Sequence, residues 1–159
     1  MGMFAIDADS ARVRFPPPLV FVGFLLIGRA IDDLFGLNPA IPAAVRWILG
    51  GGAIAVGAAT MAAGLLAFRQ AGNNPEPWKR DDAFVVAGIY RFTRNPMYLG
   101  MAVASFGIAV AANCLGGLLT LPLAILAVRV FVIGAEEAHL SARFGQSYSE
   151  YRDRVRRWI

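Results

Sequence analysis

Three apolar blocks separated by short polar stretches dominate the pattern along the chain. The first covers residues 17–35, is interrupted by Arg29 and ends near Asp32 and Asp33. Arg29 stands three and four residues before these acids, so all three can share one helix face as an interfacial anchor. The second block covers 41–68 and contains a single charge, Arg46, near its start. It is rich in alanine and carries Gly50-Gly51-Gly52, Gly57 and Gly64, small residues that let helix backbones approach closely in lipid. The third block is the longest: after Arg94 the next charged side chain is Arg129. A hydrocarbon layer of about 30 Å takes roughly 20 helical residues. The third block therefore predicts a hairpin of two helices turning near Asn113, Gly116 and Gly117. Four spans result, at about 17–35, 44–68, 97–112 and 115–135.

Beyond residue 135 the pattern changes. Glu137, Leu140, Phe144, Tyr148 and Tyr151 recur at steps of three or four, which marks one face of a helix over about 136–155. Gly145 weakens that helix locally. The expected fold is all-α: a polytopic transmembrane bundle of about four spans, with an amphipathic C-terminal helix over its cytoplasmic mouth. Residues 1–159 form one domain in this reading.

Composition agrees with the pattern. The chain is 57% hydrophobic and 16% charged, whereas soluble domains run at about 45–50% and 25%. A soluble domain of this length would need more polar surface than this. The net charge of +4 matters less than its placement. All Lys and Arg except Arg29, Arg46 and Arg129 fall on the N-terminus, in the 70–95 loop or at its edge (Arg69), or on the C-terminal tail. With four spans these segments share one side, so both termini are expected in the cytoplasm. No stripe of basic and aromatic residues appears on any one element, which argues against a nucleic-acid partner. The first 15 residues lack the apolar stretch of a signal peptide, so the first span is expected to remain in the mature protein. One cysteine (Cys114) and one histidine (His139) rule out a disulfide framework and a multi-Cys or multi-His metal centre.

Two polar features invite chemistry. The loop before the third span carries Phe84-Val85, Tyr90 and Asn95-Pro96-Met97-Tyr98, and Asn95 with Pro96 also reads simply as a helix start. Glu136 and Glu137 leave the fourth span on the same side, ionisable groups at a membrane boundary.

At these residues the chain resembles a known family. The string Gly88-Ile89-Tyr90-Arg91-Phe92-Thr93-Arg94-Asn95-Pro96-Met97-Tyr98-Leu99-Gly100 is similar to a motif of isoprenylcysteine carboxyl methyltransferases, relatives of the phospholipid N-methyltransferases. The Glu136-Glu137 pair matches a second element, and Phe144-Gly145, Tyr148, Tyr151 and Arg152 a third, with Val155 and Trp158 following. The resemblance covers roughly the second half of the chain and implies S-adenosylmethionine as cofactor, held at the cytoplasmic side. It implies Ala83, Phe84, Val85 and Tyr90 along the cofactor, with Asn95, Pro96, Met97 and Tyr98 as the wall beneath it. It also implies Glu136 on the cofactor's amino group or ribose hydroxyls. Glu137 either joins it or braces Arg91 or Arg94. Two positions depart from the isoprenylcysteine enzymes: Asn95 replaces a histidine and Val132 an arginine. They leave the cofactor site in place and weigh against isoprenylcysteine as the acceptor.

The expected activity is methyl transfer to a lipophilic or amphipathic acceptor, a carboxylate, amine or thiol, reached from the bilayer. Arg129 and Glu137 are the candidate catalytic residues. Arg129 either holds an anionic head group or is a buried structural arginine. An amine acceptor must lose a proton, and His139 is the only histidine for that task. Two other readings share the fold: a nicotinamide-dependent membrane reductase, or a non-catalytic subunit. The glycine-rich second span leaves a close homodimer open.

Overall fold

The computed structural model describes residues 16–71 and 84–159, and among them every regular element is helical. Four long helices carry the fold. Helix α1 is Pro17–Phe35, α2 is Ala43–Gln70, α3 is Pro96–Ala111 and α4 is Leu115–Arg154. A 3-10 turn, Gly88–Arg91, precedes α3.

Local chemistry sets these boundaries. Pro17 and Pro96 open their helices, where a fixed φ is suited and no N–H is missed. Gly36, at φ 64°, ends α1 in the left-handed conformation, its amide returning to the Asp32 carbonyl. Asn113, at φ 54°, makes the tight turn between α3 and α4. Two π turns, Arg46–Gly50 and Arg129–Ile133, are built into α2 and α4.

Helix α4 departs from expectation. The expected fourth span runs into the following helix without a break at Glu136, because nothing between Ile133 and Glu137 stops a helix and Gly134 is merely tolerated there. The break comes later, at Gly145, whose φ of 54° and ψ of −123° suit glycine alone.

The helices pack by small residues. A Cβ on Gly57 would sit 2.6 Å from the Ala104 nitrogen and the Gly100 oxygen. One on Gly107 would sit 2.6 Å from the Gly50 oxygen, so α2 and α3 touch backbone to backbone. Gly50, Gly57 and Gly64 are therefore engaged within the chain, while Gly51 and Gly52 face open space. On the other seam Gly28 of α1 meets Gly116 of α4, and Thr120 donates to the Phe24 carbonyl at 2.8 Å.

Large side chains point outward instead: Trp47, Ile48, Leu49, Leu66, Leu119 and Phe131 are all exposed. A soluble bundle would bury these and expose its polar residues. Here the outer face is apolar and the seams are small, which suits lipid. At about 1.5 Å per residue α2 and the part of α4 before its break at Gly145 are about 42 and 45 Å long, more than a hydrocarbon core of about 30 Å. Both are long and apolar enough to cross a bilayer. Helix α3, with 16 residues, is shorter, and α1 carries three charges.

One end of the bundle is closed by the 36–42 connection and the α3–α4 turn. Ile41 donates to Asn113 Oδ1 at 3.1 Å, and the Asn113 amide donates to Asn38. Asp32 is 3% exposed and accepts from the Gly116 amide at 2.7 Å. The three-residue anchor expected at Arg29 thus separates. Arg29 pairs with Asp33, four residues on, while Asp32 turns inward to meet an orphan amide at the start of α4.

A candidate active site at the opposite end of the bundle

Glu136 lies about 32 Å along α4 from Leu115, close to the thickness of a hydrocarbon core of about 30 Å. Adjacent residues of a helix point in different directions, and here the two acids take different partners. Glu136 Oε1 accepts a hydrogen bond from the Tyr98 hydroxyl at 2.5 Å. That bond ties the first turn of α3 to α4. Below the Tyr98 ring lie Phe21, Ala102, Val128, Val132 and Ile133, one apolar cluster. Val132 is thus part of the floor and brings no charge to the site.

Glu137 is held by two arginines. Arg157 grips it with both prongs, Nε to Oε1 at 3.0 Å and Nη2 to Oε2 at 2.6 Å. Arg94 Nη2 stands 3.4 Å from Oε1. The hydrogen bond to Glu137 pushes the Arg157 pKa up, so its charge is fixed.

Arg157 belongs to a strap that sequence reasoning missed. After Arg154 the chain leaves the helix and runs back beside the segment before α3. The Arg156 carbonyl accepts from the Arg94 amide at 3.0 Å. The Arg157 carbonyl accepts from Asn95 Nδ2 at 3.0 Å and from the Thr93 hydroxyl at 3.2 Å. Trp158 packs against the apolar cluster. The tail arginines bear on the sequence reasoning only through the charge asymmetry, and only the interleaved Val155 and Trp158 hinted at a packed segment.

Aromatic rings complete this end. Phe84 lies 5.0 Å from Phe144, 5.7 Å from Tyr148 and 5.7 Å from Tyr151, centroid to centroid. Tyr151 donates to the Tyr90 carbonyl at 2.8 Å. All four tyrosines of the chain, Tyr90, Tyr98, Tyr148 and Tyr151, are gathered here and buried. Burial raises the pKa of Tyr148, with the Glu137 charge adding to it. Burial raises Tyr151 further, with Tyr148 next in weight. Both phenols are neutral at any physiological pH.

Of the expected site residues, Phe84, Tyr90, Asn95, Tyr98, Glu136 and Glu137 come together through these bonds and ring contacts. Val85 is buried. Pro96 and Met97 instead pack on Gly64 of α2. Ala83 lies outside the described residues, as do the first 15 residues, Lys79 and Arg80. Arg129 is exposed, at the first residue of the π turn. His139 is half-buried one turn beyond Glu136.

Fold and site together define a helical membrane protein whose polar chemistry is gathered at one end of its bundle. The chain belongs to the phospholipid methyltransferase family, whose pattern matches residues 45–147. No curated protein and no solved structure matches it. The match takes in α2, α3 and the Glu136-Glu137 pair. It stops short of Tyr148, Tyr151 and the strap, which nonetheless hold the matched residues in place.

Proposed function

We propose that the protein transfers a methyl group from S-adenosylmethionine to an amphipathic acceptor at the cytoplasmic face of the membrane. The observation that carries this is the bond from Tyr98 to Glu136, which joins the two separated elements of the motif within the family's matched region. The residues present suit the cofactor. Glu136 offers a half-buried carboxylate to a ligand with an ammonium group and ribose hydroxyls. The Phe84–Tyr148–Tyr151 cluster offers aromatic surface to a purine.

The cofactor supplies an activated methyl: the carbon–sulfur bond breaks as the acceptor's lone pair bonds the carbon, and sulfur keeps the electron pair as a neutral thioether. The protein's part is alignment and the exclusion of water. Tyr98 fixes the Glu136 carboxylate. Asn95 and Arg157 fix the backbone on which Tyr98 stands. The apolar floor of Val128, Val132 and Ile133 keeps water from the reacting centre.

A lipid is the acceptor class that fits the family and the apolar outer face. An amine acceptor sheds one proton as it gains the methyl, whereas a carboxylate or thiolate sheds none. Arg129 is exposed on α4, and in a bilayer its guanidinium would suit an anionic head group. Four spans with both termini cytoplasmic agree with the antiparallel helices and with the basic residues at the Glu136 end.

The test is calorimetric titration of S-adenosylmethionine into detergent-purified protein, wild type against Glu136→Ala. Saturable binding by wild type and its loss in the variant is expected, with both proteins equally folded by circular dichroism. Equal binding by the two would remove Glu136 from the site. Folded wild-type protein that binds no cofactor and transfers no labelled methyl to membrane lipid would end the reading.

A further inference from the structure

Arg46 is the only charged residue of α2 before Arg69, and the fold supplies it with no counterion. Its Nε is buried without a hydrogen-bond partner, and its guanidinium forms no ion pair among the described residues. The other charges near this end of the bundle are already matched. Arg29 pairs with Asp33, and Asp32 accepts from the Gly116 amide. Position adds to the mismatch. Arg46 closes the first turn of α2, which carries no acid and no side-chain cap, and the helix dipole disfavours a positive charge there. The backbone at this point is held in place: the Arg46 amide donates to the Pro42 carbonyl at 3.0 Å. One turn on, a Cβ on Gly50 would sit 2.7 Å from the Ala111 nitrogen, so the start of α2 is fixed against the end of α3. A guanidinium with a buried, unmet donor is costly unless a partner comes to it from outside the chain.

The residues flanking Arg46 define the chemistry of that partner. Val45, Trp47, Ile48 and Leu49 are all exposed, Trp47 at 66% and Ile48 at 72%. Arginine beside tryptophan at the start of a spanning helix suits the level where acyl chains meet head groups. The α-helical ladder also departs into a π turn at Arg46, a feature frequent at functional sites. We propose that Arg46 holds the phosphate of a phospholipid at the bundle end opposite Glu136, with the acyl chains lying along Trp47, Ile48 and Leu49. A planar guanidinium matches two phosphate oxygens, and the lipid's chains cover the apolar flank. A soluble phosphate would meet the charge and leave that flank bare. The site stands apart from Glu136 and Tyr98 and does not depend on the methyl-transfer reading.

The experiment is native mass spectrometry of the full chain in nonionic detergent, titrated with dioleoyl phosphatidylglycerol or with dioleoylglycerol, which lacks the phosphate. Wild type, Arg46→Gln, Arg46→Lys and Arg129→Gln are compared. Wild type should hold phosphatidylglycerol about tenfold more tightly than dioleoylglycerol, the worth of one charge-assisted contact. Arg46→Gln should lose that preference, and Arg46→Lys should recover part of it. No preference in wild type, or one unchanged in Arg46→Gln, overturns the proposal. Loss confined to Arg129→Gln would put the lipid on α4 and overturns it as well. Displacement of the lipid by inorganic phosphate at equal concentration would assign the site to a soluble anion, and the phospholipid proposal would fall. Should Arg46→Gln not fold, a measurement on wild type decides. Phosphatidylglycerol brominated in its chains should quench Trp47 fluorescence, read as the part of the quenching that Trp47→Phe lacks, whereas brominated dioleoylglycerol should leave it unchanged. Equal quenching of Trp47 by the two lipids would sink the proposal.

Discussion

The seam between α2 and α3 and the polar end beyond it are held together by opposite means. Along the seam contact depends on the absence of side chains: Gly50, Gly57, Gly100 and Gly107 bring two backbones together. At the polar end contact depends on side chains that reach across: Glu137 to Arg157, Asn95 to the Arg157 carbonyl, Tyr151 to the Tyr90 carbonyl. The difference follows from solvent. In lipid, apolar side chains gain little by meeting one another, so close van der Waals contact between backbones must hold the helices. Where the helices emerge, charge-assisted bonds become effective and segments distant in sequence can be tied. The seam should therefore fail when atoms are added and the polar end when they are removed.

The largest effect is expected from filling the seam. Gly100→Val places a branched side chain where even a Cβ would lie 2.6 Å from the Gly57 carbonyl oxygen. Overpacking of this kind costs about 3 kcal/mol, enough to leave little folded monomer in size-exclusion chromatography. Gly51→Ala is the counterpart. A Cβ there meets nothing within 4 Å, and alanine in a helix interior gains about 0.5–1 kcal/mol over glycine. Equal melting temperatures for the two variants would mean that α2 and α3 do not pack as described.

Next comes the clasp. Glu137→Ala leaves Arg94 and Arg157 without their shared carboxylate, while Arg157→Ala leaves Glu137 with the longer Arg94 contact alone. Because Arg157 is a third exposed and Glu137 13% exposed, a loss of about 2 kcal/mol is expected for each, below that of a fully buried pair. The double variant should cost less than the sum, since the two act as a unit. Additive losses in a denaturation cycle would show that the pair is incidental. At the far end Asp32→Ala removes the carboxylate that meets the Gly116 amide. A loss of about 1 kcal/mol is expected, as for other helix caps, with cofactor binding unchanged.

The same contrast explains what could be read from the sequence. Helix positions were legible because apolar blocks and their breaks are local signals: Pro17, Pro96, Asn113 and Gly36 each act within a turn. The glycine seam was legible as a tendency, since small residues in an apolar block have few other uses. Its partner helix was not, because spacing on α2 says nothing about α3. The motif residues stood out by their types, yet two roles depend on contacts 62 and 20 residues away in the chain. Asn95 looked like a cap or a cofactor ligand, and its amide holds the Arg157 carbonyl. Glu137 was left between two roles, and its strongest partner is an arginine in the tail that had counted only toward the charge asymmetry. Asp32 gave no hint of facing inward, because only the fold brings Gly116 to it. Continuity of α4 through Glu136 was open in principle: acids at a helix C-terminus oppose its dipole, whereas acids inside a longer helix do not.

The smallest effect concerns the tyrosines and tests the polar end without deleting a charge. Tyr148 and Tyr151 have pKa values raised above the ordinary 10.0, by burial first and by neighbouring negative or phenolic groups second. A raised folded pKa means that the native state holds its protons more tightly than the unfolded chain. Their contribution is therefore fully present below pH 10 and is lost as pH rises beyond it toward the folded values. Tyr151→Phe should cost about 1 kcal/mol at neutral pH, the worth of the hydrogen bond to the Tyr90 carbonyl. It should also flatten part of the alkaline fall. Tyrosinate absorbance in the near ultraviolet gives a direct reading, since the chain has four tyrosines and all are at this end. In the native protein Tyr148 and Tyr151 should ionise only together with unfolding, above pH 10. Ionisation of all four near pH 10 in protein that is still folded would mean that the Phe84–Tyr148–Tyr151 cluster is open to water, and the aromatic wall proposed for the cofactor would go with it.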